Sequence, residues 1–277
     1  MSRTTLVLAL TLALGIAVAV MGGQISSAQQ AADPRVADLV RAGKVRAGVG
    51  VVAPHWAVKD AATGELRGLA IDLARAFAAR LGLEFVPVAY PSPPSILEGL
   101  KSDAWDVGFL AIDPSRAAVV DFSHPYLEID ATYLVPGGSS IRTVSDADQS
   151  GVRIAVPRGD ASDLRLTRML KRAELVRTNS IAAAIDLVRT GNASAYAGPR
   201  FLLLAEAARR PEGVRVLEDH FAVIYIAAMV PKGNAQHLAY VTEFIEEAKA
   251  SGLMEQIIER AGLRGVQVAP AANKSAQ

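Results

Sequence analysis

The chain has 277 residues, of which 29 are Lys or Arg and 28 are Asp or Glu, so its formal net charge at pH 7 is +1. This balance, without a long basic run, argues against nucleic acid as a partner and favours a small molecule. Because the chain contains no cysteine, it has no disulfide framework, and its stability must come from a hydrophobic core.

The first 28 residues have the pattern of a secretory signal peptide. Arg3 precedes an apolar stretch that runs roughly from Leu6 to Met21, and small residues up to Ala28 offer a cleavage point. The stretch is shorter than the ~20 residues that span a bilayer, which favours cleavage over a retained anchor. Since no thiol is available for lipidation, we expect a soluble periplasmic protein of about 250 residues, enough for two modest α/β domains or one large one.

Strand and helix patterns alternate through the rest of the chain, which predicts an α/β protein with mostly parallel sheets. Apolar runs predict strands at 44–52, 83–90 and 105–112. Between the first two, Leu69, Leu73, Phe77 and Leu81 form one helical stripe, and Gly82 is a natural stop. A short helix with prolines before it is expected at about 94–102.

A second cycle of strands and helices is predicted after a strand at 131–140. Its strands are expected at 152–157, 174–178 and 193–198, and its helices at 161–173 and 180–191. A long apolar strand at 221–234 closes this cycle, and two amphipathic helices follow it.

The glycine and proline breaks near 134–138 and 228–233 suggest that the second cycle is an inserted domain. We therefore predict a first lobe of residues 34–135 and 226–265 and a second lobe of residues 136–225, with a ligand crevice between them. Residues 266–277 are predicted to form a flexible tail.

Enzyme and cofactor signatures are missing from the sequence. It contains no Gly-x-Ser-x-Gly nucleophile elbow, no phosphate-binding Gly-Lys loop and no Gly-x-Gly-x-x-Gly turn. The four histidines lie far apart, with no two at metal-ligand spacing on a helix. We therefore expect neither catalysis nor a bound metal or cofactor.

Arg116 is the best single candidate for a binding residue. It follows a predicted buried strand that ends at Asp113-Pro114, and the carboxyl end of a strand in an open α/β sheet faces the ligand crevice. A planar guanidinium there can hold a carboxylate with two parallel hydrogen bonds. Alternatively, Arg116 pairs with Asp113 or Asp121 at the surface.

Several motifs occur together in an order that is typical of one family. They include GELRGLAIDLARAFAARLGLEFVPV (64–88), LEGLKSDAWDVGFLAIDPSRAAVVDFSHPY (97–126) and VRIAVPRGDASD (152–163). From about Lys44 to Leu263 the chain resembles the solute-binding proteins of polar amino acid ABC transporters, the bacterial extracellular solute-binding protein family 3. The resemblance implies a type II periplasmic binding protein fold, with two α/β lobes joined by two hinge crossings.

The resemblance also implies a function. Proteins of this family close on a small carboxylate-bearing ligand, such as an amino acid or a related organic acid, and deliver it to the inner-membrane permease of an ABC importer. A monomer is expected. Two alternatives stay open: an enzyme similar to the periplasmic cyclohexadienyl dehydratases, which needs an acid in the pocket such as Asp113 or Asp160, and a sensor that passes ligand occupancy to a membrane receptor.

The arginine of the family's Thr-x-x-Arg motif holds the ligand's α-carboxylate, and Arg116 matches it. Asp113 stands where the family has the threonine. The strand before it carries the apolar residues Phe109 to Ile112, with Ala111 as a candidate contact, where the family has small hydroxyl-bearing residues. These departures predict that the pocket around Arg116 has been rebuilt.

In the second lobe, the loop that supplements the carboxylate site of the family corresponds to Gly159-Asp160-Ala161-Ser162. Its backbone amides at a helix start suit an anion. Asp160 either accepts a hydrogen bond from the ligand or caps the helix. The acid that grips the α-amino group in the family is expected near Gly198 to Arg200, where this chain has no acid.

Three further residues have two interpretations each. His55 and Trp56 follow the first strand, and they either wall the pocket or pack beneath the loop. Arg200 is either a second anion clamp or a solvated residue in the first turn of a helix.

Overall fold

A computed structural model of the chain describes residues 33–51, 56–209 and 213–272, so the predicted signal peptide and His55 lie outside the described residues. Its helices are α1 (Ala37–Ala42), α2 (Leu69–Leu81), α3 (Pro93–Glu98), α4 (Pro114–Ala117), α5 (Ala161–Met169), α6 (Ile181–Arg189), α7 (Arg200–Arg209), α8 (Ala235–Ala250) and α9 (Leu253–Arg260). Its strands are β1 (Lys44–Gly50), β2 (Val58–Lys59), β3 (Leu66–Arg67), β4 (Glu84–Tyr90), β5 (Val107–Ala111), β6 (Val120–Pro136), β7 (Arg153–Pro157), β8 (Glu174–Thr178), β9 (Ala195–Pro199), β10 (Val214–Val216), β11 (Ala222–Pro231) and β12 (Val266–Val268). None of these helices is both long and apolar enough to cross a membrane.

Two groups of parallel strands lie at opposite ends of one twisted sheet. In the first group β1 pairs with β4 and β5, and in the second β7 pairs with β8 and β9. Each group buries side chains on both faces of its strands, as alternation along β7 shows: Ile154 and Val156 join one core cluster and Ala155 another. We call the group around β1, with α2, α3, α8 and α9, the first lobe, and the group around β7, with α5, α6 and α7, the second lobe.

The long strands β6 and β11 join the two lobes. β6 pairs with β11 from Val120 to Ala131 and then with β9 up to Leu134 in the second lobe. β11 begins at Ala222, opposite Ala131, and returns to the first lobe, where it pairs with β5. The predicted α/β architecture with two lobes and two crossings is confirmed.

Helix α2 shows why local patterns were informative. Leu69, Leu73, Phe77 and Leu81 are all buried in the core of the first lobe, as their spacing predicts. Gly82 ends the helix in the left-handed region at φ +67°, where its N–H caps the last turn. A residue with a Cβ is disfavoured in this conformation, so the sequence marks the boundary clearly.

Two expectations about the chain path need correction. Strand β6 begins at Val120, well before the predicted residue 131, so the segment after Arg116 is already part of the sheet. The expected tail from residue 266 is ordered up to residue 272: β12 pairs with β6, and the Ala269 N–H donates to the Tyr126 carbonyl at 3.0 Å. The edge of a long crossing strand offers unpaired backbone groups that this short segment satisfies.

Candidate functional site

A cavity of about 290 Å³ lies between the two lobes. Its wall contains many large apolar side chains, contributed by both lobes and both crossings: Trp56, Ile96, Phe109, Leu110, Ile129, Phe201, Leu202, Ile224 and Ile226. The charged residues that line it, among the described residues, are Arg116, Arg158 and Asp160. The cavity therefore combines an apolar body with a few charged groups, as small-molecule sites do.

The turn after β5 brings Arg116 to the cavity. The Asp113 carboxylate accepts hydrogen bonds from the N–H and Oγ of Ser115, at 2.9 and 2.7 Å, and so caps α4. Pro114 occupies the first helical position, where its fixed φ suits the start of a helix. Arg116 is only 3% exposed, and its Nη1 donates to the Ala111 carbonyl at 2.8 Å. The guanidinium is thus held at the carboxyl end of β5.

The second lobe presents the start of α5 to the same cavity. Gly159, at φ +72°, makes the turn after β7, and its N–H donates to Asp163 Oδ2 at 2.8 Å. Asp160 Oδ1 accepts from the Asp163 N–H at 2.7 Å, so Asp160 is the N-cap of α5. Ser162 is fully buried in the cavity wall, and its Oγ has no hydrogen-bond partner among the described residues.

Three contacts cross the cleft beside the cavity. Arg116 Nη2 donates to the Gly159 carbonyl at 3.0 Å, and Arg168 Nη2 pairs with Asp113 Oδ2 at 2.6 Å. The Cα of Gly159 lies so close to the first lobe that an added Cβ would meet Pro94 Cγ at 2.7 Å. The lobes are therefore in a closed arrangement.

The electrostatics of the cleft depend on burial. Burial raises the pKa of the Asp160 carboxyl to about 7; the Asp163 carboxylate adds to this, whereas the Asp163 N–H and the Arg116 charge oppose it. Burial also lowers the pKa of Arg116 from its usual value, against the attraction of Asp113 and Asp160. Burial alone would raise the pKa of Asp113, but hydrogen bonds from Ser115 and Arg168 hold this pKa below its usual value.

Arg116 retains donors for a ligand. A guanidinium has five N–H groups, and within the described part of the chain Arg116 uses two nitrogens, each for one backbone carbonyl. Asp113 and Asp160 attract it through space without a direct bond. A ligand carboxylate would be a stronger partner than a carbonyl, because hydrogen bonds between charged groups are about twice as strong.

The predicted site residues differ in where the structure places them. Six of them line the cavity: Trp56, Ala111, Arg116, Asp160, Ala161 and Ser162. Asp113 does not line it and instead binds Arg168 across the cleft. His55 lies outside the described residues.

Arg200 needs a correction as a candidate anion clamp. Its Nε donates to Asp130 Oδ2 at 3.2 Å, and its terminal nitrogens donate to the carbonyls of Leu217, Glu218 and Asp219. Arg200 therefore ties the start of α7 to the crossing and the loop beside it, and it does not line the cavity. The sequence could not show this, because Asp130 lies 70 positions away.

Sequence reasoning missed Arg158 and the wall formed by the crossings. Arg158 follows β7 directly, and it lines the cavity with an exposed side chain. Ile224 and Ile226 line the cavity from β11, whereas Val223 and Tyr225, which alternate with them, are exposed. The period of two along this strand was a usable signal for one buried face.

Comparisons with known proteins agree with this geometry. The family model described as bacterial extracellular solute-binding proteins, family 3, matches residues 45–263. The chain is 25% identical over 185 residues to the glutamine-binding protein of Geobacillus stearothermophilus, a match that covers 65% of this chain and 70% of that protein.

Solved structures resemble the fold closely. The solute receptor for L-cysteine of Neisseria gonorrhoeae superimposes with a TM-score of 0.72 at 24% identity, covering 82% of this chain and 92% of that one. An ancestral amino acid-binding protein, described as a precursor of cyclohexadienyl dehydratase, gives a TM-score of 0.71 at 25% identity, covering 81% and 97%. These structures confirm the periplasmic binding protein fold predicted from the sequence. Because the family model spans nearly all of the described residues, the chain belongs to family 3 of the bacterial extracellular solute-binding proteins.

Proposed function

We propose that the protein is the periplasmic binding component of an ABC importer, and that it holds a small carboxylate-bearing ligand between its lobes. The observation that carries this proposal is Arg116, a buried guanidinium in the wall of the closed cavity with donors left for an anion. The glutamine-binding relative supports an amino acid or a related organic acid as the ligand. The protein would act as a monomer and hand the ligand to the permease subunits.

Hinge closure gives this site its mechanism. The ligand carboxylate first binds Arg116 on the open first lobe. The start of α5 then approaches, and the Gly159 carbonyl reaches Arg116. These contacts exist only in the closed arrangement, so the ligand shifts the population toward closure by its difference in affinity for the two states.

A thermal-shift screen of the protein without residues 1–28 tests the ligand class. Amino acids, aliphatic acids and aromatic acids are compared with their uncharged amides, because a ligand that binds the native state raises the melting temperature. We expect the acids to raise the melting temperature and the matching amides to leave it unchanged. Stabilisation by an amide equal to that by its acid would contradict a carboxylate site.

Arg116 variants test the residue itself. Arg116→Ala should reduce affinity for the best acid by at least ~100-fold, because a charge-assisted, bidentate contact of about 3 kcal/mol is lost. Arg116→Lys keeps the charge but not the planar fork of the guanidinium, so its affinity should lie between those of the wild type and Arg116→Ala. Arg80→Ala is the control, since Arg80 is also largely buried and ion-paired but lies on α2 against α8. A loss of affinity in Arg80→Ala equal to that in Arg116→Ala would mean that the loss reports damage to the fold.

A dehydratase activity is the second candidate, and one observation favours it. Asp160 is a carboxyl group in the cavity wall with a pKa of about 7, so it can donate a proton to a leaving hydroxyl at neutral pH. A structural relative is described as a precursor of cyclohexadienyl dehydratase. Incubation with cyclohexadienyl carboxylates, followed by ultraviolet detection of an aromatic product, tests this activity. If the wild-type protein forms the product and Asp160→Asn does not, the dehydratase function replaces the transport proposal.

A further inference from the structure

Two of the three charged residues that line the cavity, among the described residues, are arginines, which are hydrogen-bond donors. Arg116 retains N–H groups, and Arg158 lines the wall with no ion pair among the described residues. The two backbone carbonyls at Arg116, those of Ala111 and Gly159, already accept from its guanidinium. A ligand carboxylate in this cavity therefore meets a wall that carries two guanidinium groups.

Asp160 contributes the one side-chain carboxyl group that lines the cavity, among the described residues. Its Oδ1 is committed to the helix cap through the Asp163 N–H. The next carboxylate, Asp163, accepts hydrogen bonds from Arg177 Nε and from the Gly159 N–H, both at 2.8 Å, so both of its oxygens already have partners. An ammonium group carries three N–H donors, and the second oxygen of Asp160 is the carboxylate oxygen that this wall leaves for it, among the described residues.

The groups that face Asp160 also favour its protonated form when an anion binds. Burial already places its pKa near 7, Asp163 on α5 repels its charge, and Arg116 on α4 is the cation that attracts it. Tyr196 on β9 is buried, has no hydrogen-bond partner for its hydroxyl, and feels the Asp160 charge. A ligand carboxylate at Arg116 would neutralise that cation and add a second negative charge, and two carboxylates at one site share a proton.

We propose that the cavity binds an apolar carboxylate without an ammonium group, and that Asp160 takes up a proton from solvent to donate a hydrogen bond to this ligand. The inference rests on the proposed function and narrows its ligand class. In the complex one proton lies between Asp160 and the ligand, the guanidinium of Arg116 balances the remaining negative charge, and the apolar wall covers the hydrocarbon part.

The sign of the pH dependence follows from proton uptake. The complex holds Asp160 protonated to a higher pH than the free protein does, so affinity is highest below about pH 7 and falls as the pH rises above it. The decrease amounts to about tenfold for each unit by which the ligand raises the pKa of Asp160. A ligand with an ammonium group would give the opposite trend, because it favours the charged carboxylate.

Matched ligand pairs test the inference by calorimetric titration. The probes are 3-phenylpropanoate against L-phenylalanine and 4-methylpentanoate against L-leucine, since the members of each pair differ only in the α-ammonium group. We expect each acid to bind at least ~10-fold tighter than its amino acid, the loss expected for one unsatisfied charged group. Titrations in buffers with different ionisation enthalpies should show proton uptake at pH 8.

Asp160→Asn should abolish the proton uptake and the pH dependence, while asparagine preserves the helix cap. Asp186→Asn, in an exposed pair with Arg189, should change neither. If the amino acids bind tighter, or if affinity rises with pH, the inference is overturned and the proposed function stands. If neither member of either pair binds at millimolar concentration and no other carboxylate stabilises the protein, both fail.

Discussion

The ion pair between Arg168 and Asp113 joins the lobes without lining the cavity, so its removal should weaken binding without touching the ligand. Arg168 lies on α5 in the second lobe, and Asp113 caps α4 in the first. Their side chains meet at 2.6 Å, with 46% of the Arg168 side chain and 6% of the Asp113 side chain exposed. We therefore expect Arg168→Ala to shift the lobes toward the open state.

The magnitude lies between two limits. An exposed ion pair contributes about 0–1 kcal/mol, and a buried charge-assisted hydrogen bond about 1.5–3 kcal/mol. Because one partner is buried and the other is half exposed, and because Asp113 keeps its bonds to Ser115, we expect ~1 kcal/mol, which is about a fivefold loss of affinity. The loss should appear in the dissociation rate, since the pair forms only on closure.

Tryptophan fluorescence provides the assay, because Trp56 lines the cavity whereas Trp105 is buried in the first lobe. Stopped-flow titration with the best acid from the thermal-shift screen gives both rate constants. Arg165→Ala is the matched control, since Arg165 is exposed on the same helix and makes no ion pair among the described residues. Equal dissociation rates for wild type, Arg168→Ala and Arg165→Ala would refute the reasoning.

The remaining predictions concern closure and stability. Gly159→Ala should weaken ligand binding by at least ~10-fold, because the added Cβ collides with Pro94 on closure and the positive φ adds about 1 kcal/mol of strain. Gly151→Ala is the control, since Gly151 also has a positive φ but open space around it, and it should leave the affinity unchanged. Equal ligand affinities for the two variants would contradict the close approach of Gly159 to Pro94. Acid should open the cleft. The pKa of Asp113 lies below its usual value, so the Arg168–Asp113 ion pair persists at neutral pH and is lost as the pH falls through that lowered pKa. Small-angle scattering would detect the opening of the lobes. Deletion of residues 266–277 should lower the free energy of unfolding by ~1–3 kcal/mol through the loss of β12 pairing, whereas deletion of 273–277 alone should not, as urea titration can check.

Local patterns predicted the elements that local physics decides. The buried stripe and glycine stop of α2, and the Ser180 N-cap of α6, need only neighbouring residues to form. Alternation also predicted the parallel strands of both lobes. The start of β6 was not predicted, because the polar residues Asp121 to His124 interrupt the apolar alternation. Pairing with β11 nevertheless makes this segment a strand.

The site was predictable only where a short motif carries it. Arg116 and the loop from Gly159 to Ser162 stand in short motifs whose helix starts are capped by neighbouring residues, Asp113 and Asp160. The pairs Arg168–Asp113 and Arg200–Asp130 depend on how distant segments meet, with separations of 55 and 70 positions. The two roles of Asp160 combine both cases, since the cap is local and the raised pKa comes from burial between the lobes.

A crystal structure of the complex with the best acid tests the central claim most directly. The account predicts closed lobes and both ligand carboxylate oxygens at ~2.7–2.9 Å from the Arg116 guanidinium, the range of charge-assisted hydrogen bonds. A ligand whose carboxylate lies away from Arg116, with the guanidinium still bonded only to the Ala111 and Gly159 carbonyls, would contradict it.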